Sequence, residues 1–249
     1  MVTLEIYRPG HVKNAAHDAI RDMMDGFDVG KSYADMMRHR ISGAAAQACH
    51  DVYYVAHESG VARSRLWMGW GRHADAIGNW GNFYTDVAFR GQGLGKGLLD
   101  LWFADLQQTP TPPLCLLCTT GSAWVTALYG RYGFRPVIQG QDYGPLYKPV
   151  GNSPATFDAL CDMYYQPSDV LYWRPADIAY RHEIDCLLRF VFAAHGLTFG
   201  FGEVSSVEAG LLYHPTRTGM LFSADGHCVG WTFDGQAQVH LMYARACII

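Results

Sequence analysis

Hydrophobic and polar positions along this 249-residue chain alternate, recur at helical spacing, and alternate again. Leu4-Glu5-Ile6-Tyr7 alternates and is closed by Arg8-Pro9-Gly10, which predicts a first strand and a turn. Ala15, Ala16, Ala19, Ile20, Met23 and Met24 recur three or four residues apart and predict a helix over 12–24; a second helical pattern covers 33–49. Residues 52–56 read as a strand, Glu58-Ser59-Gly60 as a turn, and 65–70 as the returning strand of a hairpin. A loop over 73–78 precedes a strand over 82–89, and a glycine-rich turn then opens a helix over 92–106. After the proline-rich loop 109–113, the apolar run 114–118 predicts a buried strand, and 123–132 a helix stopped by Gly133. Two strands, 135–138 and 146–150, close the unit. The order β-α-α-β-β-β-α-β-α-β-β predicts a mixed α/β, α+β-like architecture, with a central twisted sheet flanked by helices.

The remaining hundred or so residues resemble the opening of that unit. Leu171-Tyr172-Trp173-Arg174-Pro175 parallels Glu5-Ile6-Tyr7-Arg8-Pro9, and each is followed by a helical pattern, here over 178–194. A second helix is expected over 204–213, then a hairpin formed by 220–224, the turn Asp225-Gly226 and 229–233, then a strand over 239–244. The division predicted is therefore a complete domain over 1–150 and a truncated, partial second copy over 151–249.

Composition narrows the class. With 49% hydrophobic and 17% charged residues the chain is expected to be globular. A net charge of -4 argues against a nucleic-acid partner and is compatible with a cationic, amine-bearing one. The seven cysteines are odd in number and scattered, as expected of reduced, mostly buried thiols in a reducing compartment. Cys115 and Cys118 form C-x-x-C, but three residues apart on a strand they point to opposite faces, which argues against shared metal binding. No metal is expected elsewhere: the eleven histidines show no ligand spacing, and His57-Glu58 lacks a second His because Val61 stands there. The start of the chain lacks a signal-peptide pattern, and the most apolar stretch, 186–194, contains Arg189 and is too short for a bilayer. A cytoplasmic protein without a membrane partner is expected.

The stretch from Asn82 to Leu99 carries the chemistry. A strand runs into Arg90-Gly91-Gln92-Gly93-Leu94-Gly95-Lys96, and then into a helix with an apolar face. Alternating glycines leave backbone N–H groups free to converge on an anion, and the helix N-terminus adds partial positive charge. A P-loop is excluded because Gly97 follows Lys96 where Ser or Thr is needed, and Arg90 stands at the first glycine. The dinucleotide pattern G-x-G-x-x-G fails at Lys96 when started from Gly91, and at Leu98 when started from Gly93.

What fits is Arg90-x-x-Gly93-x-Gly95. It resembles the coenzyme A signature of the GCN5-related N-acetyltransferase (GNAT) superfamily, [Arg/Gln]-x-x-Gly-x-[Gly/Ala], which lies between a strand and a helix. Downstream, Leu128-Tyr129-Gly130-Arg131-Tyr132-Gly133-Phe134 is similar to the family's Leu-Tyr-x-x-x-Gly-Phe segment. The resemblance covers residues 4–150 and the family's element order. It implies acetyl-CoA as co-substrate, with the amides of Arg90, Gly91, Gln92, Gly93, Leu94, Gly95 and Lys96 on its pyrophosphate. Phe83 and Thr85 match strand positions whose backbone meets the pantetheine and the thioester carbonyl; Ser122 stands where many members place Asn beside the pantetheine. Tyr129 matches the tyrosine that protonates the departing thiolate. Val87 replaces a frequent proline. The second half has no counterpart of the signature, so it is not expected to bind coenzyme A; acceptor binding, sheet extension and homodimer formation are the roles open to it.

The activity implied is transfer of an acetyl group to a primary amine by direct attack in a ternary complex. A thiol titrates near 8.5 and a tyrosine near 10, so a phenol can protonate a thiolate without ionising beforehand. The amine must lose a proton, and the family's strand glutamate is missing; Asn79, Asn82 and Asp86 stand there instead. Asp75, in the preceding loop near His73, and a water chain are equal candidates for the base. The missing glutamate also motivates an alternative, a catalytically inactive module that binds or senses coenzyme A. The aromatic group Trp67, Trp70, Trp80, Phe83 and Tyr84 is read first as hairpin core, and second as a wall of the acceptor site.

Overall fold

A computed structural model describes residues 1–25, 31–197 and 207–249. It divides into two compact units, residues 1–72 with 79–112, and residues 73–78 with 113–249. Compactness thus cuts the chain elsewhere than at 150, and the strand β4 (Ile77–Thr85) begins in one unit and continues in the other.

The first unit opens with β1 (Thr3–Tyr7), α1 (Ala15–Asp25) and α2 (Lys31–Ser42). The long hairpin β2 (Cys49–Glu58) and β3 (Val61–Gly71) follows. β1 pairs antiparallel with β2, Tyr7 opposite Tyr53, and β2 pairs antiparallel with β3, Val52 opposite Met68. The helix α3 (Leu94–Gln108) closes the unit. The spacing that predicted α1 is the spacing of its buried face: Ala16, Ala19 and Ile20 meet Tyr7, Met37, Ile41, Tyr53, Val55 and Trp67 in one cluster. α2 ends at Ser42, seven residues short of the expected helix, ahead of the left-handed Gly43. α3 packs on β2 and β3; Leu98, Leu99, Trp102 and Leu106 form its buried stripe, and the Trp102 indole N–H points to Met68 Sδ at 3.3 Å.

In the second unit, the first residues of β4 lie beside β5 (Cys115–Thr120): Leu114 N–H donates to the Ala76 carbonyl at 2.8 Å. Gly78 is held there by space. A Cβ would come within 2.8 Å of Leu116 Cδ2 and 3.2 Å of the Cys115 carbonyl oxygen. α4 (Ala123–Gly130), β6 (Arg135–Pro136) and β7 (Gly144–Pro149) follow, with β7 antiparallel to both β5 and β6. Next come α5 (Phe157–Tyr164), an element absent from the sequence expectation, and β8 (Val170–Pro175). The helix expected over 178–194 is continuous but not regular. A 3₁₀ turn (Ile178–Tyr180) leads into α6 (Arg181–Asp185), a π-helical stretch (Cys186–Val191) and α7 (Phe192–Ala194). Of the helix expected over 204–213, α8 (Val207–Tyr213) is seen, and 204–206 lie outside the described residues.

β9 (Thr218–Phe222), β10 (Cys228–Phe233), β11 (Gln236–Val239) and β12 (Cys247–Ile248) complete a five-stranded sheet ordered β11-β10-β9-β8-β12. Within it β8-β9, β9-β10 and β10-β11 are antiparallel, as β1-β2 and β2-β3 are in the first unit. The strand expected over 239–244 turns at His240, whose Nδ1 accepts the Met242 N–H and starts a 3₁₀ turn (Leu241–Tyr243). The strand expected over 82–89 ends the same way: the Asp86 carboxylate accepts the Ala88 N–H and starts a 3₁₀ turn (Val87–Phe89). Among the described residues no helix is long and apolar enough to cross a membrane.

Candidate coenzyme-binding site

In the first unit the strand–loop–helix segment has the geometry that an anion needs. Asn82 sits at φ +52° inside β4, so the strand kinks there. Asparagine tolerates that left-handed region better than most side chains. α2 holds the kink, since the Tyr33 hydroxyl donates to Asn82 Oδ1 and Asn82 Nδ2 reaches Met37 Sδ at 3.5 Å. Past the kink, Ser64 Oγ donates to the Tyr84 carbonyl at 2.9 Å and lies 2.8 Å from Thr85 Oγ1, tying the strand end to β3. The chain then turns through Val87–Phe89, and Arg90 Nε donates back to the Thr85 carbonyl at 3.1 Å.

The glycines follow. Gly91 and Gly93 have φ of +77° and +81°, and a Cβ on either would meet nothing within 4 Å. They are glycines for backbone conformation, with open space beside them. Gly93 is the N-cap of α3 and supplies no side-chain cap, so the amides at the helix start have no acceptor within the helix. Gly95 differs, because its Cβ would stand 3.0 Å from Phe83 Cζ and 3.5 Å from Thr85 Oγ1. Residues 90–93 and Lys96 are exposed, and Leu94 and Gly95 half-buried. Lys96 Nζ is bonded to Asp100 at 2.5 Å. The segment from Phe83 to Lys96 thus forms one cradle that fits a diphosphate: open space beside Gly91 and Gly93, and a helix N-terminus behind them, although the Arg90 N–H is itself bonded to the Val87 carbonyl at 3.3 Å.

The other candidates fall in the second unit. Tyr129 is on α4, 7% exposed, with its ring 6.0 Å from Phe134; the Phe134 N–H bonds back to the Tyr129 carbonyl. Burial first, then the neighbouring Cys118, raises the phenol above its ordinary value, so Tyr129 is a neutral O–H across the physiological range. Ser122 is the N-cap of α4, half-buried, and makes no capping bond with its side chain. Asp75 is exposed in the loop before β4, at φ +55°. Cys115 and Cys118 are both buried on β5, and burial raises both thiols. Of the aromatic group, Trp67, Trp70 and Trp80 are buried core, while Phe83 and Tyr84 are half-buried beside the cradle.

Sequence reasoning missed Glu183. It is fully buried on α6 and accepts the N–H of Ile77, the first residue of β4, at 2.8 Å. A glutamate inside a helical pattern looks like a solvated position, and only the three-dimensional pairing across 106 residues reveals it.

No family model matches the chain, and no curated protein sequence matches it. Solved structures do. An acetyltransferase of the GNAT family from Staphylococcus aureus is similar at 11% identity, over 60% of this chain and 100% of its own, with a TM-score of 0.41. The GNAT-family N-acetyltransferase YhbS from Escherichia coli, in complex with CoA, is similar at 14% identity over 64% of this chain and 84% of its own, TM-score 0.42. An acyl-CoA N-acyltransferase from Pseudomonas aeruginosa is similar at 17% identity over 59% of this chain and 99% of its own, TM-score 0.43.

Proposed function

We propose that the chain is an acyl-CoA-dependent N-acyltransferase of the GNAT type that uses acetyl-CoA and acts on a primary amine. The observation that carries the reading is the cradle: left-handed Gly91 and Gly93 in open space, opening an uncapped helix directly after a kinked strand. The amides of Arg90, Gly91, Gln92, Gly93, Leu94, Gly95 and Lys96 hold the pyrophosphate, and Phe83 and Thr85 align the pantetheine arm along β4, with Ser122 assisting. Acetyl-CoA supplies an acyl group activated as a thioester.

The protein's own groups do the rest. The acceptor amine attacks directly, and the Thr85 N–H stabilises the negative charge that develops on the carbonyl oxygen. Tyr129 gives its Oη proton to the leaving sulfur. Its raised pKa keeps the proton on the phenol at neutral pH and sets the transfer uphill, because a thiolate is a weaker base than a tyrosinate; the donation must be concerted with departure of the sulfur. The amine's proton leaves through Asp75 or through a water chain. We assign residues 1–150 as the catalytic module and 151–249 as a partial second copy without a coenzyme loop.

A second reading, a module that binds coenzyme A without transfer, is favoured by one feature: β4 carries Asn79 and Asn82 and no glutamate. Calorimetric titration with CoA, alongside acetyl-CoA turnover on a panel of small amines, amino acids and peptides, separates the readings. Binding with turnover supports the enzyme, binding alone supports the module, and neither defeats both.

A further inference from the structure

Buried carboxylates are costly, and Glu183 is 0% exposed. Its partners explain where it is used. Oε1 accepts the Ile77 N–H at 2.8 Å and lies 3.3 Å from His73 Nε2, while Oε2 has no partner among the described residues. The His73 ring stacks on Tyr180 at 4.3 Å and 19°, and its Nδ1 is 3.0 Å from the Ala74 carbonyl oxygen. Nδ1 faces a carbonyl oxygen and Nε2 faces the Glu183 carboxylate without hydrogen-bond geometry, so the positive charge of an imidazolium is what the carboxylate meets here. The loop before β4 is thus clasped by two residues of one short segment, Tyr180 by stacking and Glu183 by charge and by backbone, with Arg181 and His182 between them.

The clasp acts on the strand entry. Ile77 is wholly buried, and its amide would otherwise be a buried donor without an acceptor. The same strand carries Phe83 and Thr85 and leads into the glycine cradle. We propose that Glu183 is a positioning residue for acyl transfer: through Ile77 and the His73 ion pair it fixes the entry of β4, which makes the 151–249 segment a working part of the catalytic strand. This rests on the acyltransferase reading above.

The groups facing the pair define its pH behaviour. Tyr164, Tyr180, Cys115, Cys186 and Cys228 lie around Glu183, and burial raises each of them, so they stay neutral where His73 titrates. Arg174 and Asp177 bear on Tyr180 and Cys228, with opposite effects, and Asp75 shares the loop. Burial alone would lower the His73 pKa; Glu183, with the Ala74 and Ala179 carbonyls, outweighs it and the value is raised. The His73 charge that makes the pair is therefore present below that raised value and is lost as pH rises through it.

The test is Glu183→Gln in the full chain, which keeps an oxygen for Ile77 and removes the charge, with His73→Asn beside it. Hydrogen exchange at the Ile77 amide and acetyl-CoA turnover are followed against pH. The wild type should lose protection at Ile77, and lose kcat, on the alkaline side. Both variants should lack that alkaline limb, show kcat lower by about 10- to 100-fold, as expected for a displaced catalytic strand, and bind CoA within about twofold of wild type. The double variant should be no worse than either single one.

A Glu183→Gln protein with wild-type kcat and wild-type protection overturns the proposal, as does a uniform fall in kcat that leaves the alkaline limb in place. If Glu183→Gln does not fold, His73→Asn, at a partly exposed side chain, decides alone by the same readouts. A wild type that binds no CoA sinks the acyltransferase reading, yet leaves the exchange result to judge the clasp.

Discussion

Replacing Gly93 by alanine puts the cradle to a quantitative test. An alanine at φ +81° is held in the left-handed region, at a cost of about 1–2 kcal/mol. Sterics add nothing, since the new Cβ would meet no atom within 4 Å. The strain must appear in one of two places. If the loop keeps its shape without ligand, stability falls, by roughly 2–4 °C in Tm per kcal/mol for a chain of this size. If the loop instead relaxes to negative φ until CoA arrives, the cost is moved to binding, where 1–2 kcal/mol is about 5- to 30-fold in Kd. The two losses should sum to the same total. Gly60→Ala calibrates it: Gly60 sits at φ +79° in the β2–β3 turn, also with nothing within 4 Å, and has no part in the cradle. It shares the gain from a stiffer unfolded chain as well, so that contribution cancels in the comparison. Calorimetry for Kd and thermal melts for stability complete the measurement. A Gly93→Ala protein that matches wild type in both, while Gly60→Ala melts lower, would mean residue 93 is not left-handed and the cradle is misdrawn.

Tyr129→Phe should lower kcat by about 10²-fold or more, the usual contribution of a positioned acid, and leave the CoA Kd within about twofold; unchanged kcat in single-turnover assays removes Tyr129 from the mechanism. His50 stacks on Trp70 at 4.4 Å with Arg72 Nη1 3.3 Å from its Nε2, and burial, then the Arg72 charge, pull its pKa down to about 4. The unfolded chain protonates this histidine below about pH 6.5, so its stabilising effect is complete above that pH and is lost as pH falls towards 4. His50→Phe, which keeps the stack, should therefore show a smaller drop in Tm between neutral and acid buffers than the wild type, and an equal drop argues against the linkage.

How much could be read from residues alone varies by element. Helix faces and the β2–β3 hairpin were legible because burial follows the local pattern: Ala16, Ala19 and Ile20 at helical spacing, or the continuous apolar run Val52–Ala56 bounded by the Ser59-Gly60 turn, need no partner to interpret. The start of β4 was not, because Gly78 and Gly81 flank Trp80 and look like a loop; Gly78 is demanded by Leu116 and Cys115, which are remote in sequence. Both mistaken strand ends come from one cause. Alternation across Val87–Phe89 and Leu241–Tyr243 suits a strand as well as a single turn, and the side chains that decide, Asp86 and His240, act on an amide two residues on. α5 carried a readable start, Thr156 capping Ala159 N–H with Asp158 in the first turn, that the periodicity of so short a segment did not raise above background. The glycine-rich turn into α3 was legible, since backbone conformation at glycine is a local property. Glu183 was not, being defined by its partners.

The uncapped start of α3 has a consequence for solution behaviour. Lys96 is engaged with Asp100, Arg90 Nε with the Thr85 carbonyl, and Gly93 has no side chain to offer. Both cations keep their charge and stay exposed, but the contacts the cradle itself offers are peptide dipoles acting at close range, well inside the Debye length of about 10 Å at 0.1 M salt. Counterions weaken a long-range attraction between free charges much more than they weaken such short contacts. Affinity for a diphosphate should then fade less with rising ionic strength than a lysine-lined pocket would allow, so such a ligand would stay bound across media of very different salinity.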